Sequence, residues 1–124
     1  MRHLESNIQQ MCVAWFRLQY RDLAPLLFAV PNGGARSRVE AAIMKAEGVT
    51  AGVADLILLV PRGGHHCLCI EMKTPDGRQT PAQKEWMAHA VSAGAVYSIC
   101  RSFEGFQTEI RNYLEQDNQN NSQR

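Results

Sequence analysis

Long apolar runs are missing from this 124-residue sequence. None approaches the roughly 18 residues of a membrane-crossing helix, so no membrane partner is expected. A charge excess is missing as well. Thirteen lysines and arginines face twelve acids, for a formal charge of +1. That excludes a coat protein that binds nucleic acid by bulk charge, but it leaves room for a local acid cluster offset by a basic rim. Repeats and linkers are absent too. The opening MRHLESNIQQM lacks the apolar core of a signal peptide, so an intracellular, cytoplasmic protein is expected. Cys-x-x-Cys spacing does not occur. The four cysteines, Cys12, Cys67, Cys69 and Cys100, sit inside apolar segments and read as reduced and buried. HHCLC at 65–69 invites a zinc site, but strand alternation sends His66 to the face opposite His65, Cys67 and Cys69. Four converging ligands are therefore not available there.

What is present reads as one α/β domain over 1–116, a length suited to a single core. Leu4, Ile8, Met11, Cys12, Trp15 and Leu18 form a helical stripe over 4–20. PLLFAV (25–30) is a short strand closed by PNGG. Ser37 with Glu40 forms a capping box that opens a second helix, with Val39, Ala42, Ile43 and Ala46 on one face and Gly48 as its stop. ADLILLV (54–60) and HCLCIEMK (66–73) are two strands around the turn PRGG. Thr80, Pro81 and Gln83 start a third helix that ends at Gly94. AVYSIC (95–100) is a further strand. A last helix carries Phe103, Phe106, Ile110 and Leu114 on one face. The order is α-β-α-β-β-α-β-α. Trp15 and Trp86 lie on apolar helical faces, as core or dimer contacts. DNQNNSQR (117–124) has no apolar side chain to bury and is expected to be a disordered tail.

The hairpin holds the chemistry. A turn centred between Arg62 and Gly64 sets Asp55 opposite residue 70 or 71, with opposed Cβ atoms roughly 4.5–5.5 Å apart. Asp55 and Glu71 then share one face with Lys73 two residues on. A slip of one residue would break the pairing. Two carboxylates that close repel unless a positive charge lies between them, and Lys73 or a divalent cation could supply it. Oxygen-only ligands suit Mg²⁺ or Mn²⁺. The plain alternative is a pair of solvated strand-end charges with an incidental ion pair. Glu5 is either a first-turn acid favoured by the helix dipole or a third acid aimed at the same place.

GVTAGVADLILL with CLCIEMKTPDGRQTPAQKEWMAHAVSAGAVYSICRS closely resembles the virus-type replication-repair nuclease (VRR-NUC) domain of the PD-(D/E)XK superfamily, from about residue 4 to residue 114. Glu71-Met72-Lys73 matches the E-x-K element and Asp55 the acid of the PD half. PNGG (31–34), TPAQKEW and the AG before the next strand also match. Ala54 stands where proline or serine is usual, at a position that donates no ligand. The resemblance implies a restriction-endonuclease-like core, a central mixed β-sheet flanked by helices, in a bacterial or phage-type setting. It implies that Asp55, Glu71 and the main-chain carbonyl of Met72 bind Mg²⁺ or Mn²⁺, that Glu5 completes the cluster or holds a second ion, and that Lys73 orients or helps deprotonate the attacking water. No small-molecule cofactor is implied. Gln83 is either a helix cap or a group touching phosphate or metal-bound water. Asn32, Gly33, Gly34, Arg36 and Arg38, with Lys45 and Arg78, are expected to contact the DNA backbone; no interleaving of aromatic and basic residues suggests base-specific reading, so selectivity should be for DNA shape. The activity implied is a structure-selective DNA endonuclease, a homodimeric resolvase of four-way (Holliday) junctions serving DNA repair and recombination. A flap or single-strand nuclease and a non-catalytic DNA-binding module are the alternatives.

Overall fold

The structure is a computed structural model that describes residues 2–31 and 37–117. Helix α1 (Arg2–Gln19) runs into a 3₁₀ helix (Arg21–Leu26) and strand β1 (Leu27–Ala29). Helix α2 (Arg38–Ala46), strands β2 (Leu56–Leu58) and β3 (Leu68–Met72), helix α3 (Pro81–Ser92), strand β4 (Val96–Cys100) and helix α4 (Phe103–Leu114) follow. The sheet order is β1-β2-β3-β4, antiparallel at the first two junctions and parallel at the last. A parallel neighbour needs a crossover, and α3 provides it.

Alternation along the strands divides the core into two layers. Leu56, Leu58, Leu68, Ile70 and Met72 face α1 and α4, where they meet Cys12, Phe16, Phe106 and Ile110. Cys69, with Ile57 and Tyr97, faces α3 through Trp86 and Ala90. Every residue of β3 is buried, as a strand covered on both faces requires. Truncating Leu56 or Ile70 to Ala would cost about 2–5 kcal/mol. Trp15 and Trp86 both pack as core residues.

Several local expectations shift. The strand expected at 25 starts at Leu27, because Pro25 lies in the 3₁₀ helix. The buried face of α1 is rotated from the expected stripe: Phe16 and Cys12 are fully covered, while Leu4, Met11 and Leu18 are exposed. Ser37 caps α2 by accepting from the Glu40 N–H at 3.1 Å. The apolar face of that helix is nevertheless uncovered, with Val39 and Ile43 both exposed. Among the described residues no helix is long and apolar enough to cross a membrane.

The hairpin turn is tighter than PRGG suggests. Gly63 and Gly64 both have positive φ, 57° and 84°, the pairing that a two-residue turn matching strand twist demands. At the tip Arg62 bridges His65, but in the body Leu58 pairs with Leu68. Residues 59–61 therefore face only 66–67, so one extra residue shifts the register. That extra residue carries the Leu56–Ile70 pairing and leaves Asp55 one step beyond it, beside Glu71.

Candidate active site

Asp55 lies just before β2, where the backbone has already left the β3 ladder. Its main-chain carbonyl turns toward β1 and accepts from the Val30 N–H at 2.9 Å. Its side chain turns toward β3, where Oδ2 accepts from the Met72 N–H at 2.7 Å. The carboxylate thus takes the place of a strand carbonyl, and β3 satisfies its last inward donor.

Glu71 is one of the most enclosed side chains, 1% exposed. Its Oε1 accepts from the Tyr97 hydroxyl at 2.6 Å and from the Gln79 amide at 3.0 Å. Its Oε2 is buried and, among the described residues, has no hydrogen-bond partner. The Lys73 ammonium stands 3.7 Å from that oxygen, near enough for an ion pair and too far for a hydrogen bond. A buried anionic oxygen without a donor is costly, so it marks a place made for a positive group.

Electrostatics tie the acids together. Burial pushes the Asp55 carboxyl above its ordinary value; the Met72 N–H opposes this, the charges of Glu71 and then Glu5 reinforce it, and Lys73 opposes it. Glu5, on α1, contributes to Asp55 only through its charge, behind burial, the Met72 N–H and Glu71. Burial, with Glu71 beside it, pushes the Tyr97 hydroxyl far above the usual phenol range, so it stays protonated and donates.

No three His, Cys, Asp or Glu side chains converge among the described residues. The donors on offer are carboxylate and backbone oxygens, which suit a hard cation that keeps several waters and takes substrate oxygens. Oε2 of Glu71, which accepts no hydrogen bond among the described residues, fits that role.

The structure brings together Asp55, Glu71, Lys73 and the strand end at Met72. Gln83 has its side-chain oxygen engaged in the helix cap: it accepts from the Thr80 N–H at 2.9 Å, while Thr80 Oγ1 accepts from the Gln83 N–H at 3.1 Å. The amide that touches Glu71 is that of Gln79. Arg38, Lys45 and Arg78 are exposed, while Asn32, Gly33, Gly34 and Arg36 lie outside the described residues. Sequence reasoning missed Tyr97, Gln79 and Arg101. Nη1 of Arg101 donates to the carbonyls of Thr74, Pro75 and Gly77 at 2.8, 3.3 and 2.6 Å, bracing the loop after Lys73. Each partnership crosses between elements, so no local pattern carries it.

A family model, that of the VRR-NUC domain, matches residues 1–104. A solved structure described as a VRR_NUC domain protein superposes with a TM-score of 0.81 at 28% identity, covering 92% of this chain and 90% of that chain. No curated protein matches the sequence. The chain belongs to the VRR-NUC family, which makes it a nuclease domain of the PD-(D/E)XK type.

Proposed function

We propose that this member of the VRR-NUC family is a Mg²⁺- or Mn²⁺-dependent DNA endonuclease that acts on branched DNA and, as a homodimer, resolves four-way junctions. The reading is carried by Glu71 Oε2, buried without a hydrogen-bond donor among the described residues and 3.7 Å from Lys73, with the raised Asp55 carboxyl beside it.

Phosphodiester hydrolysis is extremely slow unaided. A bound divalent cation supplies a lowered water pKa and stabilises charge on the phosphate. Asp55, Glu71 and the Met72 carbonyl would hold it, with Glu5 contributing from α1. Lys73, kept near Glu71, orients the attacking water and offsets charge that develops on the phosphate oxygens. Gln83 spends its side-chain oxygen on the Thr80 cap, so it would meet a phosphate only through its amide NH₂. The groove along α1 from Glu5 through Gln9 and Gln10 to Arg17 offers polar side chains to a strand leaving the site. Arg38, Lys45 and Arg78, with the stretch 31–36, add backbone phosphate contacts.

A homodimer follows from substrate symmetry. Two sites at a fixed separation on a two-fold axis match a symmetric junction, and the exposed apolar face of α2 at Val39 and Ile43 gives such a pair a surface to bury.

The test is cleavage of a four-way junction, a flap, a single strand and a duplex in Mg²⁺ or Mn²⁺, with sedimentation of the same sample. Paired nicks on the junction by a dimer are expected. Preferred cutting of the flap by a monomer would replace the resolvase with a flap nuclease of the same chemistry. DNA binding without scission in either cation would reduce the chain to a binding module. Cleavage that survives both Glu71→Gln and Lys73→Ala would remove the roles given to those residues.

A further inference from the structure

We infer that Tyr97 and Gln79 are positioning residues that restrict Glu71 to one-oxygen ligation and so set which divalent cation the site prefers. The inference rests on the cation-binding reading above and deepens it.

The two donors converge on the same atom. Glu71 Oε1 accepts from the Tyr97 hydroxyl at 2.6 Å and from Gln79 Nε2 at 3.0 Å. A carboxylate oxygen has two lone pairs in its plane, and two charge-assisted hydrogen bonds occupy both. Oε2, which accepts no hydrogen bond among the described residues, is left as the ligating atom.

Both donors are held by the fold. Tyr97 stands on β4 opposite Cys69 in the parallel register, and its ring packs against Trp86 with centroids 6.1 Å apart. Gln79 immediately precedes the Thr80 cap of α3 and also lies against the Met87 sulfur at 3.5 Å. Neither residue belongs to the E-x-K element.

The consequence is a matter of coordination chemistry. Mg²⁺ and Mn²⁺ hold an octahedral shell built from single carboxylate oxygens and waters. Ca²⁺ takes more ligands and often binds a carboxylate through both oxygens. A Glu71 whose second oxygen is occupied serves the first pair and handicaps the other.

The test uses the whole chain without DNA, titrated with MnCl₂ and separately with CaCl₂ in a calorimeter. Tyr97→Phe removes only the hydroxyl, and Gln79→Leu removes the amide. Loss of an outer partner commonly weakens metal binding by about tenfold or more. Tyr97→Phe is expected to lose that much Mn²⁺ affinity while Ca²⁺ affinity falls by less or rises, so that Mn²⁺/Ca²⁺ discrimination narrows. Gln79→Leu should narrow it in the same direction, and it decides the matter if Tyr97→Phe does not fold. Equal losses for both cations, or an unchanged ratio in both variants, would overturn the clamp. Mn²⁺ binding that Glu71→Gln leaves intact would overturn the cation-binding reading itself. Binding that Glu71→Gln abolishes, with the ratio unmoved by the other variants, strikes the clamp alone.

Discussion

The backbone N–H of Met72 donates to Oδ2 of Asp55 at 2.7 Å, so a side chain closes the ladder at a point β2 has not yet reached. Asp55 thereby has two jobs that compete. It satisfies a strand donor, and it carries a charge into a half-buried place already occupied by Glu71. The competition can be measured.

The folded state holds the Asp55 proton more tightly than the unfolded chain, because burial and then Glu71 and Glu5 outweigh the Met72 N–H and Lys73. Ionisation therefore costs stability. The cost is absent well below the ordinary value of 3.8, grows as pH rises from there through the folded pKa, and is complete above it. Asp55→Asn keeps an oxygen for Met72 and removes the charge. In cation-free buffer it should raise the melting temperature by a few degrees at pH 7.5, and the gain should fade toward pH 4. Equal gains at both pH values in thermal melts would sink the electrostatic account. The same variant should lose cleavage.

Gly52 has φ of 84°, and a Cβ there would collide with the Ala82 carbonyl and approach the Gln83 nitrogen to 2.9 Å. Both neighbours are backbone at the start of α3, so they cannot swing aside. Gly52→Ala should cost about 2–3 kcal/mol, the scale of a strained backbone site. Urea unfolding measures it. Cleavage should fall as well, since the segment carrying Asp55 would be pushed from α3. A neutral result would mean that this contact is not made.

Arg101 joins the end of β4 to three carbonyls of the 74–77 loop. Its side chain is partly exposed, which discounts each bond, so Arg101→Ala should cost about 1–2 kcal/mol. Arg101→Lys should recover only part, because a compact ammonium cannot span the positions that a planar guanidinium reaches. Cleavage should drop in both, as the loop links Lys73 to Gln79. Full activity in Arg101→Ala would show that the loop holds itself.

Burial pushes the thiols of Cys12, Cys69 and Cys100 up to about 12. Thiolate is then scarce at pH 8, and iodoacetamide should label these residues only after denaturant is added. Peptide mass spectrometry reads the sites. Rapid labelling of Cys12 in the native protein would contradict the packing of α1.

Much of the site was legible in advance because it lies within one hairpin. The spacing of Asp55, Glu71 and Lys73 depends on strand alternation and turn length, both local quantities. The N-caps at Ser37 and Thr80 likewise rest on contacts three residues apart. The buried face of α1 was harder to read. Met11 and Phe16 differ little as apolar residues, and only the way α1 packs on the sheet and α4 decides that Phe16 is covered and Met11 is not. The apolar face of α2 misled for a similar reason: amphipathicity states what a helix could bury, and it does not supply a partner.

The sequence by itself determined the elements, their caps and the chemical types gathered at the hairpin, since these follow from dihedral preference and from periods of two and 3.6 residues. Tertiary structure alone decided which oxygen of Glu71 is engaged. The hydroxyl that occupies Oε1 comes from 26 positions away, brought there by the parallel register of β3 and β4. Contacts set by a register between distant strands leave no trace in local spacing.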